Sequence, residues 1–204
     1  MYLDGLLGDT ESVMTVLEEK EYDRLAKDEK ELLQQLWIEH GSYEQYLEKE
    51  ELAVSRLTEY MTNQNLPDEL DRLQNILNRS DPHIDFAKGV LSKEWDNVLA
   101  NREGIDLTED RKTHIVTAFL SIEDVAAAKA FVGEKAPKND GLMNRVLTAE
   151  KNQVEMATLE DEKVGLQQTI DDSEDKGKVT EAKEKMVVVQ SELDALKRIM
   201  DCEV

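Results

Sequence analysis

The groups in this 204-residue chain best equipped for chemistry are 46 aspartates and glutamates, three histidines and a single cysteine. The most suggestive cluster is the acidic run at 171–178. A calcium loop of the EF-hand type needs oxygen ligands at positions 1, 3, 5 and 12, with glycine at 6. Starting at Asp172 puts Gly177 at position 6, but Lys176 then falls at 5 and Lys183 at 12. Starting at Asp171 misplaces the glycine and puts Ala182 at 12. Both registers fail, and the run is read as a solvated turn.

His40, His83 and His114 are widely spaced, and none belongs to a Glu-x-x-His or His-Glu-x-x-His motif. Asp110 and His114, four apart, suit a surface ion pair on a helix better than a pair of metal ligands. Cys202 lies between Asp201 and Glu203, whose charges disfavour a thiolate. The sequence holds no phosphate-cradling glycine loop, dinucleotide fingerprint or Gly-x-Ser-x-Gly elbow. The stretch from Gly5 to Gly8 is too apolar and lacks the following lysine. The expectation is therefore a chain without catalytic residues, metal or cofactor.

Composition narrows the class further. The net charge of −21 opposes direct binding to nucleic acid or an anionic membrane, whose phosphates need Lys and Arg partners. One cysteine excludes an intrachain disulfide framework and fits a reducing compartment. No run of about 18 apolar residues is present to cross a bilayer. The first eight residues have neither the basic start nor the apolar core of a secretory signal, so a cytoplasmic location is expected. Few glycines and prolines, 35% charged residues and 5% aromatics are the composition of long helices and coiled coils.

The elements follow from spacing and punctuation. Residues 9–12 have a helix-start pattern. From Tyr22 to Tyr60, positions 22, 25, 29, 32, 36, 39, 43, 46, 50, 53, 57 and 60 step alternately by three and four, although three of them are Glu. A second stripe through Leu33, Trp37, His40, Leu47, Val54 and Met61 widens the face toward that of a bundle. Gly41 and Ser42 interrupt this region. Ser42 with Gln45 has the form of a capping box, and the alternatives are a helix running on through Gly41 or a kink or tight hairpin there. Pro67 opens the next helix and Asp81-Pro82 another, predicted to run to about Arg102. Thr108 caps a shorter helix, and residues 121–124 start one more.

After a linker at 135–141, residues 142, 145, 149, 152, 156, 159, 163, 166 and 170 alternate steps of three and four. So do Val179, Ala182, Met186, Val189, Leu193, Leu196 and Met200. The spacing predicts an antiparallel helical hairpin with residues 171–178 at its tip. The fold expected is all-α: a helical bundle with long coiled-coil-like helices and a C-terminal antiparallel hairpin. Its segments are 1–65 (a long helix or kinked hairpin), 66–136 (a compact helical subdomain) and 142–204 (the C-terminal hairpin).

Such a chain is expected to act by protein–protein interaction, as an acidic adaptor, scaffold or assembly factor, viral assembly factors in a host-cell cytoplasm included. Trp37, Tyr43, Tyr46 and Tyr60 are candidate contact residues because Trp and Tyr are enriched at binding hot spots, though residues at helical spacing more often belong to a core. Val189, Leu193 and Leu196 are candidates as parts of an uninterrupted seam. Partners expected are other proteins, including ones with a basic surface, and further copies of the chain. The alternative function is an acidic mimic of nucleic acid that occupies another protein's basic groove. Residues 1–66, with 16 acidic and 6 basic side chains, are the part best suited to it.

Overall fold

Pro67 does what its rigid φ suits it for, standing at the first position of a helix, and the same device recurs at Pro82. The computed structural model describes residues 10–203, with side chains through Arg198. Residues 1–9, Val204, and the side chains of Met200 and Cys202 lie outside the described residues. The described residues form eleven α-helices and two short 3-10 turns, with no strand among them, so the chain is all-α. No helix among them is long and apolar enough to cross a membrane.

The chain divides into two compact units, Met1–Asp106 and Leu107–Val204. The first contains α1 (Thr10–Glu18), α2 (Lys27–Glu39), α3 (Tyr43–Lys49), α4 (Ala53–Asn63), α5 (Pro67–Leu77), α6 (Pro82–Ser92) and α7 (Trp95–Asn101). The second contains α8 (Glu109–Ser121), α9 (Val125–Lys135), α10 (Asp140–Asp172) and α11 (Lys176–Glu203). This grouping differs from a division at 66 and 136. Helices α5 and α6 pack with α4, whereas α8 and α9 pack with α10. The phenylalanines divide accordingly, with Phe86 buried in the first unit and Phe119 and Phe131 6.1 Å apart in the second.

In the first unit, residues 22–60 do not form one long helix. The chain breaks at Gly41, whose φ of +70° is a left-handed conformation that costs glycine little. Ser42 N–H then donates to Trp37 O at 2.8 Å. The expected capping box at Ser42 is not formed, since its side chain makes no cap hydrogen bond. A second break follows α3, where Glu50 takes an extended conformation and its carboxylate turns to Tyr22 and Gln34. The apolar spacing nevertheless marks the core: Leu33, Leu36, Trp37, Tyr43, Tyr46, Leu57 and Met61 are buried.

The helix opened by Asp81 is also shorter than expected. It stops at Ser92, with Lys93 left-handed at φ 58°, and the chain turns into α7. Gly89 permits this. A Cβ there would lie 3.1 Å from the Val98 backbone nitrogen and 3.3 Å from Glu94 O, and Glu94 N–H donates to Gly89 O at 2.8 Å. The caps at Asp81, Thr108, Asp124 and Asn139 each accept a hydrogen bond from a first-turn backbone N–H.

In the second unit, α10 is 33 residues, about 50 Å at about 1.5 Å per residue. It continues through Asp172, and α11 begins at Lys176, so the connection is only residues 173–175 rather than the whole of 171–178. Asp175 explains the early restart, since its carboxylate accepts from Gly177 N–H at 2.9 Å and Lys178 N–H at 3.4 Å. Helix α11 packs back along α10. Ala182, Val189 and Leu193 are buried on it, and Val179, Met186 and Leu196 are half-buried.

Candidate functional site

The nearest approach to a catalytic constellation joins four residues that sequence reading left apart. Asp81, the cap of α6, holds His83 N–H at 3.0 Å, and its Oδ1 lies 3.1 Å from His83 Nδ1. The other imidazole nitrogen, Nε2, is 2.9 Å from Asp106 Oδ1. Ser55 Oγ–H donates to that same carboxylate oxygen at 2.7 Å. The order of contacts is serine, carboxylate, imidazole, carboxylate. An activated serine instead needs its hydroxyl on the imidazole, which takes the proton. The cluster therefore ties the Ser55 turn of α4 and the start of α6 to Asp106. Asp81 did read as a cap in the sequence, but no local spacing reveals Asp106 or Ser55 beside His83.

A second polar cluster lies against the aromatic core. Tyr22 O–H donates to the Glu50 carboxylate. Gln34 Nε2 donates to Tyr22 Oη at 2.7 Å and to Glu50 Oε1 at 2.8 Å. Arg56 donates to Gln34 Oε1 at 2.8 Å and to Tyr46 Oη at 3.4 Å. Burial, reinforced by the hydrogen bond to Glu50, pushes the Tyr22 phenol up to about 12. Burial likewise raises Tyr46, with Arg56 opposing it, and raises Tyr43, with Glu69 adding to the effect. These phenols keep their protons at neutral pH. They brace the 3-10 turn at Tyr22–Arg24, α2, the end of α3 and α4 against one another.

The aromatic contact candidates fall mostly inside this core. Trp37 stacks on Tyr22 with ring centroids 5.6 Å apart and donates from Nε1 to Glu18 at 2.6 Å. Trp37, Tyr43 and Tyr46 are buried, whereas Tyr60 is half-buried. Val189 and Leu193 are buried, and Leu196 half-buried, on a helix that packs on α10. His40 is exposed, its ring 3.0 Å from Thr10 Oγ1, and His114 is half-buried on α8. Among the described residues, no group of three His, Cys, Asp or Glu side chains is placed to hold a metal ion.

Exposed apolar side chains are found elsewhere on the same helical pair, as well as at Val16, Leu52 and Ile122 outside it. Val154 and Val164 on α10 are 65% and 67% exposed, and Val187 and Val188 on α11 are 71% and 57% exposed. Beside them, Lys163, Met186, Val187, Gln190, Ser191 and Arg198 line an open hollow of about 670 Å³. Sequence reading missed these valines, although the signal was present. Three consecutive valines, 187–189, cannot share one helix face, so filling the seam with Val189 leaves Val187 and Val188 outside. No protein-family model, curated protein or solved structure matches the chain.

Proposed function

We propose that this chain is a non-catalytic interaction protein, an adaptor, scaffold or assembly factor of the cytoplasm, and that the outer surface of the α10–α11 pair is where it meets its partners. The observation that carries this reading is the exposure of Val154, Val164, Val187 and Val188. Long helices of a monomer ordinarily present charged residues there, and these four exposed valines depart from that pattern. In the first unit Trp37, Tyr43 and Tyr46 are committed to its own core, and the large apolar residues it exposes include Val16 and Leu52.

The test is affinity capture from native cells with two tagged chains, the natural one and one with all four valines changed to serine. Proteins retained by the natural chain and lost from the variant, at unchanged helicity, are expected. Identical retention by both would contradict the proposal.

A further inference from the structure

We infer that two copies of this chain pair through one face of the α10–α11 arm, with α11 of each lying on α10 of the other. This rests on the reading of that surface as a docking surface.

The face is defined by register. Val164 follows the inward-facing Lys163 by one residue, and Val187 follows the inward-facing Met186 by one, so equivalent positions of two helices running in opposite directions stand on the same side of the pair. Lys163 Nζ donates to Gln190 Oε1 at 2.7 Å, and the connection spans only residues 173–175. Both constraints set Val164 and Val187 within about one helical turn of the same height. The hollow lined by Lys163, Met186, Val187 and Gln190 lies on this side. Glu162 and Lys185 attract each other, as residues on the opposite side of the pair.

Charge selects the occupant and its orientation. Residues 153–172 of α10 carry six acidic side chains and one basic. Residues 176–198 of α11 carry six basic and four acidic. A second copy laid face to face has two symmetric arrangements. A twofold axis across the arm puts acidic α10 on acidic α10. An axis along the arm puts α10 on the partner's α11, with both tips at one end, and brings Val164 opposite the partner's Val187. Opposite charge favours the second arrangement, and like charge penalises the first. The face is about 30 Å long and two helices wide, about 600 Å² per copy, which reaches the lower range of stable interfaces. Its thin apolar centre and charged rim suit a dimer of micromolar stability.

Sedimentation equilibrium of the purified full chain, from low to several hundred micromolar, reads the association. The mass should rise from one chain to two. Val164→Asp with Val187→Asp, at unchanged circular dichroism, should weaken pairing at least tenfold. Orientation is read by mixing two Cys202→Ser chains, one with Val164→Cys and the other with Val187→Cys. Mild oxidation should give the mixed disulfide in excess over either self-pair. A single-chain mass at every concentration, a dimer indifferent to the two aspartates, or dominance of the Val164→Cys self-pair would each overturn the inference. None of these results bears on capture of other proteins, so the proposed function stands or falls separately.

Discussion

Lys163 and Gln190 meet across the α10–α11 pair, the ammonium donating to the amide oxygen at 2.7 Å. The contact puts a charged residue at an inward position and satisfies it there with a neutral acceptor. Polar residues at such positions cost stability and fix register. The register they set carries the outer valines to the surface.

Stability of the pair should reside in its seam. Leu193 is 2% exposed. Leu193→Ala should destabilise the second unit by about 2–5 kcal/mol, the usual cost of deleting a buried leucine side chain. Leu193→Asp with Leu196→Asp should cost more, because a charge is also brought inward. Urea unfolding followed by circular dichroism measures both.

Two glycines should respond oppositely to alanine. Gly89→Ala drives a Cβ to 3.1 Å from the backbone nitrogen and Cγ2 of Val98, so the α6–α7 turn must open, at a cost of about 1–3 kcal/mol. Gly165 lies inside α10 with nothing within 4 Å of the place an alanine methyl would take, and Gly165→Ala should stabilise by about 0.5–1 kcal/mol. Thermal melts of the two variants should shift in opposite directions.

The cap at Asp81 is a separable contribution. Asp81→Ala removes the acceptor for His83 N–H and should cost about 1 kcal/mol. Chemical denaturation should show a lower midpoint with an unchanged slope.

Tyr22 makes stability depend on alkaline pH. Its folded-state value of about 12 lies above the ordinary 10, so the folded chain binds the phenolic proton more tightly than the unfolded chain. Its contribution is complete below pH 10 and falls as pH rises toward 12. Tyr22→Phe should lower stability at neutral pH by about 1 kcal/mol, the usual net worth of a hydrogen bond. The same variant should flatten the decline between pH 10 and 12. Unfolding at a series of alkaline pH values measures both effects.

Periodicity was legible wherever burial alone decides it. Positions stepping by three and four from Leu25 to Leu57 mark largely buried residues even where the helix is broken at Gly41 and again at Glu50. Breaks set by distant partners were not legible. Glu50 leaves the helix because Tyr22 and Gln34, more than a dozen residues away, hold its carboxylate. Lys93 turns left-handed where Val98 packs on Gly89. The aromatic residues illustrate the same limit. Their spacing identified a buried stripe correctly as a stripe, but only tertiary packing separates Trp37 in the core from Val187 at the surface.

The most direct measurement of the central claim is photo-cross-linking in native cells from a reactive side chain placed at Val187, with the exposed Asn75 of α5 as control. The proposed docking surface predicts covalent protein adducts from position 187 that are absent from position 75. Equal yields from the two positions, or adducts from 75 alone, would contradict it.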